Sequence, residues 1–433
     1  MPAVLFDCAR RRAHCLRTRD PILMSAGCIV IGGGHAGISC ATSLRDEGYT
    51  GPITVIDTFV GLPYERPPLS KDYLLGLATL DQLVLRSSEF YKLADIRVLT
   101  DSKVLTIDRT TRTAEVLSRG LPVLLEYEYL IFATGSVPRG LDVPGAELQG
   151  VHRLADANDA KSLAEALTNS ENVVIIGAGF IGLECAVATY KLGHSPVVLN
   201  LDSGVLARVA SQPTADFVDS WHRSSGARFL HGTSVSEIVG EDGHVTAVKD
   251  DSGNVHAADT VIVGIGALPR TELAKSAGLD VDRGILVDEF LRTSDPAIFA
   301  IGDCARYKSS RTNELMRLES VQNATDHGRA VAATIAGHPR KYEAIPWFWS
   351  DQGALKLQIA GINAGATDYI VRGDVAEGKF SVFCYQDEKL LAVDSIGKPA
   401  DHIQARKLLA ARVSPTHDQA ADSNFPLKSL IAK

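Results

Sequence analysis

Cysteine is used sparingly in this sequence, and never in the arrangements that build a metal centre or a dithiol site. Seven cysteines are scattered along 433 residues, without a C-x-x-C pair and without a His/Cys cluster at metal-ligand spacing. This usage is typical of proteins in the reducing cytoplasm. We therefore expect a cytoplasmic protein with no metal site, whose chemistry does not depend on a cysteine pair.

Long apolar runs and an excess of basic residues are also lacking. No hydrophobic stretch reaches the roughly 20 residues that a membrane-spanning helix needs. The formal net charge is −8, whereas a general nucleic-acid-binding protein would carry a basic excess. We therefore expect no membrane span and no nucleic-acid partner. With 45% hydrophobic and 22% charged residues, the chain is an ordinary globular one, long enough for two or three domains.

The first 23 residues differ from the rest of the chain. Five arginines crowd this segment, which has no hydrophobic core comparable to that of a signal peptide. We expect residues 1–23 to be a disordered N-terminal extension, with the folded part starting at about Met24. An Arg-rich targeting peptide is the alternative interpretation.

The strongest pattern in the chain is a short apolar segment followed by a glycine turn. Residues 28–31 (CIVI) have the continuous apolar character of a buried parallel strand. The next six residues, GGGHAG, fit the motif G-x-G-x-x-G. In this motif Gly32 makes the tight turn, Gly34 lets the backbone approach a pyrophosphate, and Gly37 lets the following helix pack on the strand. The pattern predicts a dinucleotide-binding unit.

The residues that follow complete this unit. A helix is predicted over 38–48 and a second strand over 53–56. Asp57 stands at the tip of that strand, about twenty residues past the last glycine, where an acid that binds a ribose is expected. An isolated glycine motif would be weak support, but here the strand, the helix and the acid accompany it.

The same arrangement recurs about 145 residues further along the chain, which indicates two dinucleotide sites. Residues 173–176 (VVII) predict a strand, and Gly177, Gly179 and Gly182 occupy the three glycine positions. The acid position holds Asn200 instead of a carboxylate. An amide can bond a ribose hydroxyl but rejects a 2′-phosphate less firmly than a carboxylate does.

Two further segments carry charged residues where a nucleotide could lie. The proline-rich loop 63–68 continues to Lys71, and this loop would present Arg66 and Lys71 to phosphates or to a ring; a purely structural connector is the alternative. The predicted strand 297–301 ends before Asp303. That carboxylate could accept hydrogen bonds from a ribityl chain or could simply cap a helix.

The last part of the chain has a different character. Strands over 380–385 and 390–395 predict a hairpin, and residues 401–411 predict a helix. Trp347 and Trp349, two of the three tryptophans, stand at alternating strand spacing. We expect a separate α+β domain at this end.

Together these stretches resemble the FAD-dependent pyridine nucleotide–disulfide oxidoreductase superfamily, and within it the bacterial ferredoxin reductases of the putidaredoxin and rubredoxin reductase type. The resemblance depends most on the segments PYERPPLSK, RLESVQNA and PWFWSDQ. It implies an α/β fold with two Rossmann-like domains and a C-terminal α+β domain. The FAD-binding domain would comprise 24–135 and 263–338, the NAD(P)H-binding domain 136–262, and the C-terminal interface domain 339–433.

The resemblance also implies roles for individual residues. The residues expected to hold FAD are Gly32, Gly34, His35, Ala36, Gly37, Asp57, Arg66, Lys71, Ala133, Thr134, Gly135, Asp303 and Trp349. The residues expected to hold NADH, or NADPH as the alternative, are Gly177, Gly179, Ile181, Gly182, Asn200, Arg208, Gly266 and Glu319. Lys71 and Glu184 would pair as the catalytic residues near the flavin N5.

The sequence departs from the family pattern at two places. Members commonly have Glu where this chain has Asn200, so the usual preference for NADH is open. A family Leu-Arg-Thr segment is replaced by residues 154–156 (LAD), so an arginine that would contact the flavin is missing, and Arg153 is the candidate replacement. No cysteine lies beside Lys71, which argues against disulfide chemistry.

The function that the resemblance implies is electron transfer from NADH through FAD to a [2Fe–2S] ferredoxin or a rubredoxin that serves an oxygenase, by a monomer or weak homodimer. A monodehydroascorbate reductase-like enzyme and an apoptosis-inducing-factor-like flavoprotein with slow redox turnover are the alternatives. An acidic partner would need a local basic patch on this acidic chain. The candidates for that patch are Arg306, Lys308, Arg311, Lys398, Arg406, Lys407 and Arg412.

Overall fold

The structure, a computed structural model, describes residues 22–431. The expected N-terminal extension therefore lies almost wholly outside the described residues, and the first strand begins at Ile22. The strands are β1 (Ile22–Ile31), β2 (Ile53–Ile56), β3 (Ile96–Leu99), β4 (Ser102–Asp108), β5 (Thr113–Ser118), β6 (Leu121–Phe132), β7 (Ser136–Pro138), β8 (Val151–His152), β9 (Val173–Ile176), β10 (Val197–Asn200), β11 (Arg228–His231), β12 (Val235–Glu241), β13 (His244–Asp250), β14 (Val255–Ala257), β15 (Thr260–Val263), β16 (Ala267–Pro269), β17 (Ile285–Val287), β18 (Ile298–Ala300), β19 (Ala305–Lys308), β20 (Leu315–Met316), β21 (Trp347–Gln352), β22 (Leu355–Gly361), β23 (Asp368–Asp374), β24 (Lys379–Gln386) and β25 (Lys389–Ile396).

The α-helices of the described chain cover the sheets or join their strands. They are α1 (His35–Asp46), α2 (Ser88–Leu93), α3 (Ala157–Asn169), α4 (Phe180–Lys191), α5 (Gln212–Ser224), α6 (Glu272–Ser276), α7 (Val321–Ile335), α8 (Pro399–Ala411) and α9 (His417–Ala421). Within residues 22–431, none of these helices has the length and apolar character needed to cross a membrane.

The first sheet has the strand order β3-β2-β1-β6-β5-β4, with β18 paired to β6. Strands β1, β2, β3, β6 and β18 run parallel, and β4 to β6 form an antiparallel meander. Parallel strands in the middle of a sheet are covered on both faces, so they need continuous apolar sequence. Residues 28–31 supply it and are all buried.

Helix α1 differs from its predicted bounds. It begins at His35, inside the glycine motif, and ends at Asp46. Gly48 follows with a φ of +85°. That left-handed conformation suits glycine and stops a helix, so α1 ends before Gly48.

The second sheet consists of five parallel strands in the order β11-β10-β9-β15-β8. Its central strands, β9 and β15, are buried along their whole length. Strands β12 to β14 form a separate antiparallel sheet. The second sheet therefore repeats the strand–helix–strand order of the first, as the duplicated glycine motif predicts.

The C-terminal sheet is antiparallel, with the order β21-β22-β25-β24-β23. The predicted hairpin is β24 and β25, paired from Phe380 to Ile396, and helix α8 packs on β25 and β22. Beyond Pro415, where the sequence shows little pattern, the chain forms the short helix α9. The α/β class with a C-terminal α+β unit is confirmed.

The carboxyl ends of the parallel strands in both sheets face one central region. Gly32 follows β1, Asp57 follows β2 and Ala133 follows β6, while Gly177 follows β9 and Asn200 ends β10. In open α/β sheets a ligand binds at this edge of the strands. The fold thus places the two glycine turns on the same cleft.

Candidate active site

A cleft of about 1290 Å³ lies where the two sheets and the C-terminal sheet meet. Every predicted site residue lines this central cleft except Gly37 and Gly182. Those two glycines lie inside helices α1 and α4, where the motif uses them for packing. The sequence therefore identified residues that are far apart in the chain but share one cavity.

The three motif glycines of the first turn have different structural roles. Gly32 has a φ of +114°, and a Cβ there would lie 2.2 Å from the carbonyl oxygen of Ala133. A Cβ on Gly37 would lie 2.0 Å from the carbonyl oxygen of Gly32. At Gly34, by contrast, the only atom within 4 Å of an added Cβ is Nε of Arg66, at 3.9 Å. Gly34 is thus open towards the cleft, where a dinucleotide backbone needs room.

The three motif glycines of the second turn have the same roles. Gly177 has a φ of +101°, and a Cβ there would lie 2.5 Å from the carbonyl oxygen of Gly264. A Cβ on Gly182 would meet the carbonyl oxygen of Gly177 at 2.1 Å, whereas one on Gly179 meets nothing within 4 Å. Each turn leads into a helix whose first backbone N–H groups can bind phosphate oxygens. Both turns fit the pyrophosphate of a dinucleotide.

Asp57 closes the first unit. Its Oδ2 accepts a hydrogen bond from the N–H of Gly33 at 2.6 Å, and its Oδ1 accepts one from the N–H of Phe59 at 2.8 Å. The carboxylate is therefore held at the cleft next to the glycine turn. It keeps lone pairs for ribose hydroxyls, since an ionised carboxylate accepts about four hydrogen bonds.

Asn200 occupies the matching place in the second unit. Its Oδ1 accepts from the N–H of Ala178 at 3.4 Å, and its Nδ2 donates to the carbonyl oxygens of Asp202 and Gly204 at 3.0 and 2.9 Å. The amide thus organises the turn after β10, and no carboxylate stands at the position where the first unit has one. Arg208 lies 3.4 Å from the carboxylate of Asp202 and is exposed.

Lys71 and Glu184 form an ion pair between the two units. Their Nζ and Oε2 atoms are 2.6 Å apart, and Glu184 is buried. Lys71 Nζ also donates to the carbonyl oxygen of Pro67 at 3.0 Å. Glu184 accepts further hydrogen bonds from the hydroxyls of Ser70 and, at 2.7 Å, of Ser350. A buried pair needs such additional hydrogen bonds to offset its desolvation.

Asp303 lies half-buried in the floor of the cleft. Burial, together with the nearby charge of Glu319, raises its pKa to about 6. One hydroxyl, that of Ser136, donates to its Oδ2 at 3.0 Å. A carboxylate in this position has acceptor capacity left for the hydroxyl groups of a bound ligand, as expected for a ribityl chain.

Arg66 contacts the segment in which the sequence departs from the family pattern. Its Nη1 donates to the carbonyl oxygen of Ala155 at 2.7 Å. Burial and the charge of Arg66 lower the pKa of His35 to about 4, so His35 is neutral at neutral pH. Arg153, the candidate for the missing arginine, is exposed and does not line the cleft. The structure therefore does not bring Arg153, the candidate replacement, to the cleft.

The tryptophans of β21 stand at one end of the cleft. Trp349 lines it, and its ring lies 5.4 Å from that of Trp347. The guanidinium of Arg406 sits 4.4 Å from the centre of the Trp347 ring, a cation–π distance. An aromatic contact thus leads from the cleft to a basic side chain of helix α8.

Among the described residues, no cysteine lines the cleft. The five cysteines within residues 22–431 are free and buried. Burial raises the pKa of Cys40 and Cys185 to about 12, so both are protonated at neutral pH. The described residues also contain no group of three or more His, Cys, Asp or Glu side chains that could hold a metal ion.

Sequence reasoning missed the hydroxyl groups that support the predicted residues. Ser70 and Ser350 bond Glu184, and Ser136 bonds Asp303. Ser70 and Ser136 lie within or beside predicted segments, but an isolated serine carries no pattern that assigns it a partner. Ser350 is part of PWFWSDQ, whose strand spacing predicts only that it faces away from Trp349.

Two dinucleotide cradles that open onto one cleft, with a buried Lys–Glu pair between them, define a flavin- and pyridine-nucleotide-dependent oxidoreductase. The sequence matches the family "Pyridine nucleotide-disulphide oxidoreductase" over residues 27–328 and the family "Reductase C-terminal" over residues 347–431. The chain belongs to the pyridine nucleotide-disulphide oxidoreductase family.

Individual relatives cover nearly the whole chain. Rhodocoxin reductase of Rhodococcus erythropolis is 44% identical and covers 94% of this chain and 94% of its own length. The ferredoxin reductase for the CYP199A2 system from Rhodopseudomonas palustris superposes with a TM-score of 0.91, at 42% identity, over 94% of this chain and 100% of that chain. A covalent putidaredoxin reductase–putidaredoxin complex gives 0.89, at 36% identity, over 94% and 98%. The predicted family is confirmed.

The predicted enzyme class and cofactors are likewise confirmed. The protein is an NAD(P)H-dependent oxidoreductase that uses FAD and NADH. The residues of the central cleft fit both groups, since each glycine turn leaves room for a pyrophosphate.

Proposed function

We propose that this enzyme passes electrons from NADH through FAD to a small iron–sulfur protein, a [2Fe–2S] ferredoxin or a rubredoxin, that serves an oxygenase. One observation carries the proposal: both dinucleotide cradles open onto a single cleft that has no cysteine among its described lining residues. A reductase of disulfides needs a thiol beside the flavin, so the electrons must leave for an external acceptor. The relatives that are reductases of putidaredoxin and of rhodocoxin support this choice.

The bound FAD supplies the redox chemistry, because it accepts a hydride and can release electrons singly. The protein contributes the positions and the charges. We assign FAD to the turn at Gly32 and NADH to the turn at Gly177, with Asp57 and Asp303 accepting hydrogen bonds from FAD hydroxyls. Lys71 places a positive charge at the centre of the cleft. A cation there would count for more once bound cofactors exclude water from the cleft.

The proposed domain roles follow the sheets. Strand β18 pairs with β6 of the first sheet, which supports an FAD-binding domain of 24–135 and 263–338. Strand β15 pairs with β9 of the second sheet, which supports an NAD(P)H-binding domain near 136–262. Residues 339–433 are proposed as the interface domain, and the five-stranded sheet of β21 to β25 within that range supports it. Both cradles and the Lys–Glu pair come from one chain, so the cleft needs no second copy to complete it, which supports a monomer or weak homodimer. The cytoplasmic location is proposed from the sparse cysteines, none of them in a C-x-x-C pair.

The iron–sulfur partner is proposed to dock beside β21 and α8, where Arg406 contacts Trp347 and Lys407 is exposed. Arg306, another candidate for the basic patch, does not fit: it is 8% exposed and paired with Asp282. Its position on β19, inside a small sheet, explains why it is buried.

The proposal is tested by anaerobic stopped-flow mixing of the purified flavoprotein with NADH, then NADPH, followed by addition of an oxidised [2Fe–2S] ferredoxin. We expect rapid bleaching of the flavin absorbance and then reduction of the ferredoxin. Bleaching that takes minutes would instead favour a slow, apoptosis-inducing-factor-like flavoprotein. Turnover of the ascorbate radical without ferredoxin reduction would favour the monodehydroascorbate reductase-like alternative.

A further inference from the structure

A line of buried polar side chains leads away from the Lys71–Glu184 pair. Ser350 Oγ donates to Glu184 Oε1 at 2.7 Å, and Gln352 Nε2 donates to Ser350 Oγ at 3.2 Å. Gln352 Oε1 in turn lies 2.8 Å from Nε2 of His222. The line therefore connects helix α4, strand β21 and helix α5.

These groups are removed from water. Glu184 is 5% exposed, Ser350 1%, and Gln352 and His222 are both 0% exposed. A polar group buried to this extent is costly unless it is hydrogen-bonded. Ser350 and Gln352 satisfy each other, and through Ser350 they also bond the carboxylate.

The tautomer of His222 sets the direction of the hydrogen bonds. Burial lowers the pKa of His222, so its ring is neutral at neutral pH and donates from a single nitrogen. Tyr190 places its hydroxyl 3.5 Å from Nδ1. With Nδ1 accepting, Nε2 donates to Gln352 Oε1. The amide nitrogen of Gln352 then donates to Ser350, whose single hydrogen goes to Glu184. Each donor points towards the carboxylate, an arrangement in which the bonds strengthen one another.

We propose that Ser350, Gln352 and His222 are positioning residues for the reaction. Their chain of donors holds the carboxylate of Glu184 in one orientation, and Glu184 thereby fixes the ammonium of Lys71 at the centre of the cleft. The proposal rests on the proposed function, in which the flavin lies against Lys71. None of the three lines the cleft, so they act through Glu184.

Ser350 and Gln352 lie on strand β21, so the hydrogen-bonded chain also involves the C-terminal sheet. On this strand Trp349 lines the cleft, and the next residue, Ser350, donates to Glu184. The orientation of the carboxylate is thus tied to the placement of the C-terminal sheet. The position of Lys71 consequently depends on three separate parts of the chain.

The first test compares S350A with S350T in single-turnover reduction of the flavin by NADH. S350A removes the donor through which the chain reaches Glu184, while Ser70 still donates to that carboxylate. We expect the limiting rate to fall about tenfold, since a hydrogen bond to a charged group is lost. The NADH concentration for half-maximal rate should change less than about twofold, since binding is not altered. S350T keeps the hydroxyl and should restore the rate. Q352L and H222L, further from Glu184, should give successively smaller losses.

The matched control is S395A. Ser395 is fully buried in β25 of the same sheet and bonds the hydroxyl of Ser381 at 3.0 Å. It has no contact with Glu184 among the hydrogen bonds described for it, so S395A should reduce at the wild-type rate. If the limiting rate of flavin reduction fell as much in S395A as in S350A, the cause would be a general disturbance of the sheet, and the proposal would be overturned.

The second test needs no cofactor. In the apoprotein with ¹⁵N-labelled histidine, NMR should show His222 neutral with its proton on Nε2, and Q352L should abolish this preference. A proton on Nδ1 would reverse the chain and overturn the proposal.

The proposed function and the positioning role of Ser350 are contradicted by different results. If NADH does not reduce the wild-type flavin, the proposed function fails. If it does, and S350A is reduced at the same rate or S350T does not recover the rate, the positioning role fails. Should S350A not fold, Q352L and H222L decide in its place, because both sites lie outside the lining of the cleft.

Discussion

Burial in the cleft disfavours the ionised form of Asp303. Its pKa is raised from 3.8 to about 6, so the folded apoprotein holds the proton more tightly than the unfolded chain does. The stabilisation that this residue contributes is fully present below about pH 4 and is lost as the pH rises through about 6.

We therefore expect D303N to stabilise the apoprotein at about pH 8, by roughly 1 to 3 kcal/mol, and to leave its stability unchanged at about pH 4. The same variant should bind FAD more than about tenfold more weakly, because an acceptor for ligand hydroxyls is lost. Urea unfolding of the apoprotein at both pH values and FAD titration measure this. An equal stability change at both pH values would contradict the assigned cause.

Asn200 is the residue on which discrimination between NADH and NADPH is expected to depend. A carboxylate at this position repels a 2′-phosphate, whereas an amide does not. We expect N200E to lower kcat/KM for NADPH at least about tenfold while kcat/KM for NADH changes only a few-fold. D202N, which alters the neighbouring, partly exposed carboxylate, is the control. An unchanged ratio of the two kcat/KM values in N200E would exclude Asn200 as the discriminating residue.

At the scale of the element, alanine substitutions in the two strand–turn–helix units can separate an effect on dinucleotide binding from an effect on folding. An added Cβ at Gly34 or Gly179 meets open space, whereas one at Gly37 or Gly182 collides with backbone oxygen. G34A should therefore leave the stability of the apoprotein within about 0.5 kcal/mol and weaken FAD binding more than about tenfold, because the methyl group fills the space of the pyrophosphate. G37A should instead destabilise folding by several kcal/mol.

The same comparison in the second unit isolates the other cradle. G179A should retain its FAD and its stability but lose affinity for NADH, and G182A should destabilise the protein. Thermal unfolding measures the stability of each variant, the flavin absorbance measures its FAD content, and titration with NADH measures its affinity for NADH. If G179A lost FAD while G34A lost NADH, the assignment of the cradles would be reversed.

At the scale of the whole molecule, the net charge of −8 requires any acidic partner to meet a local basic surface. We expect K407E/R412E, which changes two exposed residues at helix α8 and its end, to raise the KM for ferredoxin about tenfold at low salt, with the effect shrinking as salt rises.

Ferricyanide reduction by K407E/R412E should stay at the wild-type rate, since a small inorganic oxidant needs no docking surface. The matched control is K92E, a reversal at an exposed lysine of helix α2 in the FAD-binding part of the chain. Equal losses with ferredoxin and ferricyanide would place the damage at the flavin and not at a docking surface.

Much of this protein could be read from its sequence because the decisive features are local. A strand, a glycine turn, a helix and an acid follow one another within some thirty residues, and each glycine is required by backbone geometry next to it. The hairpin of β24 and β25 was predictable for the same reason. The bounds of α1 were not, since its start inside the motif depends on packing against β1.

The tertiary structure alone decided which groups surround the predicted residues. Ser350 meets Glu184 across 166 positions of the chain, and Ser136 meets Asp303 across 167. The sequence by itself determined that there are two cradles, an Arg- and Lys-bearing loop and a C-terminal α+β unit. Whether Arg306 is exposed, whether Arg153 reaches the cleft and how Glu184 is held follow from contacts between distant segments. Those contacts are set by how the three sheets pack, and no local pattern encodes them.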